Sequence, residues 1–169
     1  MNIISKTHTW ILENIKNSSH IIDMTCGNGH DTKFLAQNAP HVTAIDIQER
    51  AILNTKKRCK DFDHITYILK SHAEVDFKAL SPISGVVYNL GYLPHGDKAL
   101  ITKTESTLTS LNNVIDHIDD FLVITVYPGH DGGDTEAEAV LTWIKHRNLN
   151  PTIFKYDTPK SPIAYCISF

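Results

Sequence analysis

Two glycines and several polar residues interrupt an apolar stretch near the start of the chain. Residues 21–36 read IIDMTCGNGHDTKFLA, with Gly27 and Gly29 between an apolar run and a helical pattern. Glycines cluster where the backbone turns sharply or approaches a ligand closely. Asp46 follows seventeen positions after Gly29, and a carboxylate there can accept two hydrogen bonds from a ribose diol. The spacing predicts a nucleoside site, and a purely structural turn between strand and helix is the alternative.

The elements that must position these residues alternate between strand and helix along the chain. Apolar runs predict strands over 20–25, 41–46, 65–69, 83–90, 121–127, 152–155 and 163–169. Helical periodicity is found over 3–16, 31–37, 48–59, 106–118 and 135–146. The central strands are apolar on both faces, which predicts a mostly parallel sheet covered by helices on each side. Only a short segment separates the last two strands, so we expect them to form an antiparallel hairpin.

Individual helix positions can be assigned to the core from the same periodicity. In the first helix the apolar set is predicted to be Ile4, Ile11, Leu12 and Ile15. In the third helix Ile52 and Leu53 are predicted to face inward, and in the second Phe34 and Leu35. No repeat or linker is found, which predicts a single domain over residues 1–169.

Composition narrows the class of protein. The net charge of -3 argues against a protein that coats long stretches of nucleic acid, but leaves room for a local basic patch. The three cysteines form no CxxC pair, which favours buried, reduced thiols. No apolar run is long enough to span a membrane and the N-terminus does not resemble a signal peptide, so we expect a cytoplasmic protein with no membrane partner. The ten histidines show no ligand spacing, and no metal site is predicted.

The glycine turn itself distinguishes between nucleosides. A dinucleotide site requires GxGxxG, and the third glycine is missing here. Asp23 places an acidic residue at the end of the first strand, as is typical of S-adenosylmethionine sites with the pattern Asp/Glu-x-Gly-x-Gly-x-Gly. That ligand carries an ammonium and a sulfonium instead of a pyrophosphate. Thr25 stands where the pattern has its first glycine, so the match is imperfect.

Three stretches together resemble one known family over essentially the whole chain. They are DMTCGNGHDTKFLA (23–36), VYNLGYLPHGDK (87–98) and VYPGHDGG (126–133). They are similar to the bacterial tRNA 5-aminomethyl-2-thiouridine methyltransferases, earlier described as rRNA methylases, which act on the wobble uridine. The resemblance implies a class I S-adenosylmethionine-dependent methyltransferase fold (α/β, Rossmann-like) with a seven-stranded, mostly parallel sheet. It also implies S-adenosylmethionine as donor, S-adenosylhomocysteine as product, and methylation of an aminomethyl nitrogen on RNA.

The resemblance implies a set of donor contacts around the glycine turn. Asp23 would lie near the methionine ammonium, and Asp46 would bind the ribose hydroxyls. The remaining predicted contacts are Gly27, Asn28 and Gly29 beneath the methionine part, Ile47 and Gln48 beside the ribose and adenine, and His72 and Ala73 at the adenine edge. A surface position is the alternative for His72. For Asp31 and Thr32, helix capping and ligand contact are both open.

A short motif that begins with an asparagine ends the fourth strand, at the place where amino-group methyltransferases carry Asn-Pro-Pro-Tyr. Here the residues are Asn89, Leu90, Gly91 and Tyr92. An amine must point its lone pair at the sulfonium methyl, and acceptors such as the Asn89 side-chain oxygen and the Leu90 carbonyl can hold its hydrogens in that direction. Tyr92 could stack on the uracil. We therefore predict Asn89, Leu90 and Tyr92 as the catalytic set, with Asn89 also against the donor, and a strand end with an apolar cap as the alternative.

The substrate is predicted to lie against the loops that follow the fourth and fifth strands. Predicted contacts are Tyr92, Leu93, Pro94, Asp97 and Lys98 in the first loop and Tyr127, Pro128, Gly129 and His130 in the second. Lys98 and Lys103 are the candidate phosphate contacts. The alternative for the second loop is a connection that only starts the next helix and contacts no substrate. Asp97, His130 or Asp131 could accept the amine proton, unless the neutral amine binds directly.

These expectations favour a wobble-uridine N-methyltransferase whose partner is a tRNA anticodon stem-loop. DNA is not an expected partner, and a homodimer is compatible with the sequence. A methyltransferase of the same fold acting on rRNA or a small amine is the first alternative. A catalytically silent nucleotide-binding subunit is the second.

Overall fold

The computed structural model describes residues 1–15, 20–91 and 104–169. Its helices are α1 (Ile3–Asn14), α2 (His30–Asn38), α3 (Glu49–Arg58), α4 (Phe77–Leu80), α5 (Thr104–Val114) and α6 (Gly133–His146). Its strands are β1 (His20–Asp23), β2 (His41–Asp46), β3 (Ile65–Leu69), β4 (Ile83–Leu90), β5 (Ile118–Val126), β6 (Thr152–Lys155) and β7 (Ile163–Ser168). Single 3₁₀ turns occupy His72–Glu74 and Ile115–His117. None of the helices in these ranges is long and apolar enough to cross a bilayer.

The strands form one mixed sheet in the order β3-β2-β1-β4-β5-β7-β6. The first five strands pair in parallel, and β7 runs antiparallel to both β5 and β6. The predicted terminal hairpin is therefore confirmed. The direction of strand progression reverses between β1 and β4, and sheets of this kind bind ligands beyond the carboxyl ends of the strands at that point.

Alternate strand residues build a core on each face of the sheet. Ile22, Tyr88 and Leu122 belong to a cluster that includes Leu111 of α5 and residues of α6. Their sequence neighbours Ile21, Val87 and Phe121 point to the other face, where Ile11 of α1 and Leu35 of α2 cover them. Strands buried on both faces read as continuous apolar runs, and that is why their positions were predicted well.

Three helical side chains of the predicted core are exposed. The buried face of α1 is Ile3, Thr7 and Ile11, whereas Ile4 and Leu12 are each 50% exposed. In α3, Ile52 is buried and its neighbour Leu53 is 57% exposed. Adjacent helix residues point about 100° apart, so only one of each neighbouring pair reaches the sheet. The short helix α4 and the preceding 3₁₀ turn carry too few residues for a periodic pattern, and the sequence did not predict them.

Candidate functional site

The loop after β1 lies between the carboxyl ends of β2 and β4. The Met24 N–H donates to the Val87 carbonyl oxygen (2.9 Å), and the Cys26 N–H donates to the Ile45 carbonyl oxygen (2.9 Å). These two bonds continue the ladders of β1 on both sides. The polar ends of three neighbouring strands are thereby brought to one edge of the sheet, as the spacing predicted.

The glycine turn is held against α3 and depends on its glycines. Gly29 precedes α2 with a φ of +86°, a conformation that residues with a side chain rarely adopt. A Cβ at Gly29 would lie 2.9 Å from the Thr55 Cα. Thr55 donates from its hydroxyl to the Gly27 carbonyl oxygen (3.1 Å). The backbone is therefore pressed onto α3 in a shape that leaves the opposite side of the turn facing the strand ends.

Asn28, at the tip of the turn, is held by two side chains of α3. Its side-chain oxygen accepts from Asn54 (3.0 Å), and its carbonyl oxygen accepts from the Arg58 Nε (2.7 Å). Asn54 and Arg58 were not among the predicted site residues. Their helix was predicted, but its register against the turn could not be read from the sequence.

Asp23 is a buried carboxyl group at the end of β1. It is 1% exposed, and its two oxygens accept from the Thr25 N–H (3.2 Å) and the Thr32 hydroxyl (2.6 Å). Burial raises the pKa of Asp23 to about 7, the nearby Asp31 carboxylate adds to that rise, and the two hydrogen bonds oppose it. A group in this state favours a positively charged neighbour.

Asp46 ends β2 and faces the same turn. Its two oxygens accept from the Gly27 N–H (3.1 Å) and the Gln48 N–H (3.0 Å). Burial raises the pKa of Asp46, and those backbone hydrogen bonds work against the rise. Because each carboxylate oxygen has two acceptor positions, both oxygens retain capacity for a further donor such as a hydroxyl group.

Asn89, near the end of β4, is fixed at three atoms. Its backbone N–H donates to the Thr25 hydroxyl (2.7 Å), its side-chain Nδ2 donates to Asp31 Oδ2, and its Oδ1 accepts from the Tyr127 hydroxyl (2.9 Å). The loop after β1 and the end of β4 therefore meet in direct contact. Thr25, which departs from the generic glycine pattern, forms one of the links.

The capping role considered for Asp31 and Thr32 is wrong. The residue before α2 is Gly29, which has no side chain to cap the helix, and the Thr32 hydroxyl is directed to Asp23. Asp31 Oδ1 lies 2.6 Å from His8 Nε2, and its other oxygen contacts Asn89. Sequence reasoning missed His8 because the residue lies on α1, which the pattern assigned only to the core.

The glycine-rich loop after β5 is folded back on itself. The His130 N–H donates to the Tyr127 carbonyl oxygen (3.4 Å), and the Gly133 N–H donates to the His130 carbonyl oxygen (2.9 Å). A Cβ at Gly133 would lie 2.1 Å from the Tyr127 carbonyl oxygen. Burial raises the pKa of Tyr127 to about 12, with Asp31 adding to the rise. The Tyr127 side chain is consequently a neutral donor that faces Asn89.

The other predicted residues have more varied surroundings. Ile47 is 53% exposed and Gln48 is buried. His72 is buried edge-on against Tyr88 (ring centroids 5.5 Å apart), so the surface alternative is wrong, and burial lowers its pKa to about 4. Ala73 donates its N–H to the Ser71 hydroxyl (3.3 Å), and Leu90 pairs with Val126 in the sheet. Tyr92, Leu93, Pro94, Asp97, Lys98 and Lys103 lie outside the described residues.

Negative charge is concentrated at this edge of the sheet, which favours a positively charged ligand. Three carboxylates, Asp23, Asp31 and Asp46, surround one backbone turn, and the first two repel each other. A pyrophosphate would add to that repulsion, whereas a ligand with positive charge would relieve it. The geometry therefore suits a nucleoside that carries cationic groups.

Comparison with known proteins supports the same class of site. A family model described as "Putative rRNA methylase" matches residues 42–159. The chain is 32% identical over 152 residues to the chloroplastic tRNA (mnm(5)s(2)U34)-methyltransferase of Arabidopsis thaliana, covering 75% of this chain and 53% of that protein. It thus spans about half the length of that relative.

Two solved structures match over nearly their full length. A protein described as a "putative rRNA-methylase" from Clostridium thermocellum is 31% identical, with a TM-score of 0.90, covering 99% of this chain and 97% of that one. A protein described as "a putative methyltransferase" from Streptococcus mutans, solved in complex with SAH, is 28% identical, with a TM-score of 0.87, covering 99% of this chain and 98% of that one. The fold is that of the class I methyltransferases, as predicted.

Proposed function

This chain belongs to the family described as "Putative rRNA methylase", and from that premise we propose that it transfers a methyl group from S-adenosylmethionine to an amine on tRNA. The proposed acceptor is the aminomethyl nitrogen of 5-aminomethyl-(2-thio)uridine at the wobble position. The observation that carries the proposal is the direct contact between the loop after β1 and the end of β4, through Thr25, Asp31 and Asn89.

Two carboxylates fit the donor. The proposed positions are Asp23 toward the methionine ammonium and Asp46 toward the ribose hydroxyls. Asp23 is buried with a raised pKa, so a cation nearby would stabilise its ionised form. Asp46 uses one acceptor position on each oxygen for the backbone and keeps others for a diol. Gly27, Asn28 and Gly29 form the wall beneath the methionine part. When bound, the donor supplies a methyl group on a sulfonium, which needs no metal for activation.

Asn89 is proposed to hold the acceptor amine. Its Oδ1 accepts from Tyr127 (2.9 Å) and has capacity for one further donor. An amine hydrogen placed there, together with a second hydrogen on the Leu90 carbonyl, would direct the nitrogen lone pair toward the donor methyl. Positioning of this kind contributes to rate by fixing the line of attack.

The tRNA substrate is supported by the plant relative, whose name specifies the modified uridine U34. In the loop after β5, Tyr127 contacts Asn89 and His130 contacts the start of α6, and a base could be contacted there. We propose the anticodon stem-loop as the partner and the cytoplasm as the location. The alternatives are an rRNA acceptor, a small-amine acceptor and a catalytically silent nucleotide-binding subunit. All three would use the same donor-binding residues.

The decisive experiment combines the purified chain, S-adenosylmethionine and tRNA from a strain that lacks this protein. Nucleosides from the treated tRNA would be separated and identified by mass spectrometry. We expect the aminomethyl uridine to be converted to its methylated form, and an Asn89→Ala variant to convert it much more slowly while still binding S-adenosylhomocysteine.

Each alternative predicts a different result when the same assay is repeated with rRNA and with an unfractionated cell extract as the source of acceptors. Methylation of rRNA but not tRNA would identify the rRNA alternative, and methylation that survives ribonuclease treatment would identify a small amine. Tight donor binding without transfer to any of these acceptors would identify the silent subunit and overturn the proposal.

A further inference from the structure

A continuous chain of hydrogen bonds links helix α1 to Asn89. His8 Nε2 lies 2.6 Å from Asp31 Oδ1, Asp31 Oδ2 accepts from Asn89 Nδ2, and Asn89 Oδ1 accepts from the Tyr127 hydroxyl at 2.9 Å. We propose that Asp31 and His8 are positioning residues that set the direction of the Asn89 amide. This inference rests on the proposed function, which assigns Asn89 Oδ1 to the acceptor amine.

Asp31 determines which end of the amide faces the reaction. A carboxylate offers only acceptors, so Asn89 must turn its NH₂ group to Asp31 and its oxygen away from it. Tyr127 cannot make this choice, because a hydroxyl group can donate to an oxygen or accept from an NH₂ group. With the amide reversed, NH₂ hydrogens would face an amine that needs an acceptor. The orientation set by Asp31 is therefore the one that the reaction requires.

His8 in turn fixes Asp31. Its ring lies flat on Phe34 of α2, with centroids 3.8 Å apart and planes at 2°. The side chains of His8 and Asp31 are 22% and 15% exposed, so the pair is partly shielded from water. Since the carboxylate accepts, His8 Nε2 carries the donated hydrogen. Holding Oδ1 on the His8 side leaves Oδ2 facing Asn89, which makes α1 a part of the site as well as of the core.

The matched variants are His8→Phe and His8→Gln. The first keeps a ring to stack on Phe34 and removes the N–H, whereas the second keeps an N–H at a similar reach and removes the ring. We expect His8→Phe to reduce the single-turnover methylation rate on tRNA by about tenfold, and Asp31→Ala by on the order of 10- to 100-fold. The affinity for S-adenosylhomocysteine should stay unchanged in His8→Phe, and His8→Gln should recover most of the rate.

A double-mutant cycle separates positioning from a general structural role. If Asp31 acts through Asn89, then Asp31→Ala should cost almost nothing further in an Asn89→Ala background. Additive losses in the cycle would overturn the proposal, as would a wild-type rate in His8→Phe or a rate loss matched by lost donor affinity.

The amide itself provides a readout that needs no RNA. In a ¹⁵N-edited NMR spectrum, the Asn89 side-chain NH₂ resonance, assigned by its loss in Asn89→Ala, should show slowed exchange that disappears in Asp31→Ala and His8→Phe and persists in His8→Gln. An unprotected resonance in the wild type would overturn the inference even if tRNA is methylated. Protection in a wild type that methylates no RNA would instead refute the proposed function alone.

Discussion

The raised pKa of Asp23 predicts that donor affinity increases with pH. In the unliganded protein this carboxyl group has a pKa of about 7, chiefly because burial penalises its charged form and also because Asp31 is close. The proposed ligand ammonium pairs only with the ionised carboxylate. Donor binding must therefore expel a proton from Asp23 at acidic pH, and that cost disappears as the pH rises past the pKa.

The magnitude follows from the fraction of Asp23 that is ionised before binding. With a pKa of about 7, roughly 3% is ionised at about pH 5.5 and roughly half at about pH 7, a ratio of about 15. The α-amino group of the ligand, with a pKa near 8 by reference to ordinary α-amino groups, is still about 90% protonated at about pH 7, so the expected ratio stays at about 15. The dissociation constant should thus be about 15-fold higher at about pH 5.5 than at about pH 7.

Calorimetry with S-adenosylhomocysteine measures this directly, because that product retains the ammonium. Repeating the titration in buffers of different ionisation enthalpy would count the released proton. An Asp23→Asn variant should bind more weakly and lose the pH dependence. Asparagine can keep both native hydrogen bonds, because the Thr32 hydroxyl can accept from its NH₂ group.

An Asp46→Asn variant is the control, since it should bind S-adenosylhomocysteine more weakly and still show the pH dependence of affinity. A wild-type affinity that does not change between about pH 5.5 and about pH 7, or a slope that survives in Asp23→Asn, would refute the reasoning.

Three further perturbations test separate parts of the site and fold. Asp46→Ala should weaken S-adenosylhomocysteine binding by about 10- to 100-fold in calorimetry, because hydrogen bonds to a charged acceptor are lost; unchanged affinity would remove Asp46 from the donor site. Asn89→Ala should lower single-turnover methylation by on the order of 100-fold with little effect on donor affinity, and equal turnover would exclude its role. Gly29→Ala should cost about 1–3 kcal/mol of stability, seen as a lower Tm, because its Cβ would meet the Thr55 backbone at 2.9 Å; Gly132→Ala, also at positive φ but with nothing within 4 Å, is the control and should lose less.

The fold and the place of the two strand-end carboxylates could be predicted because both depend on short-range patterns. Buried parallel strands are recognised in the sequence as apolar runs. A polar residue at the carboxyl end of such a run lies at the edge of the sheet where ligands bind in folds of this class. Asp23 and Asp46 satisfy that rule, and both are found there with the turn between them. The side chain that faces outward from a helix was harder to predict, as Leu12 and Leu53 show, because neighbouring apolar residues compete for one narrow face.

Contacts between elements distant in the sequence could not be predicted. His8 meets Asp31 across 23 positions and Thr25 meets Asn89 across 64, and nothing in the spacing of either pair indicates contact. Thr25 was interpreted as a departure from the glycine pattern, whereas its hydroxyl accepts the Asn89 N–H. Such links depend on the packing of α1 and β4 against the loop, which is a property of the assembled fold.

Asp31 links the proposed donor site to the proposed acceptor site. Asp31 lies close enough to Asp23 to raise its pKa and at the same time holds Asn89. Ionisation of Asp23 in the presence of a donor cation would therefore change the electrostatic field on the same carboxylate that orients the Asn89 amide. A donor that lacked the ammonium would leave Asp23 only about half ionised at about pH 7, and Asp31 would then be repelled less. The ionisation of Asp23 and the direction of the Asn89 amide thus depend on one carboxylate, so we expect substitutions at position 31 to change the proposed donor and acceptor sites together.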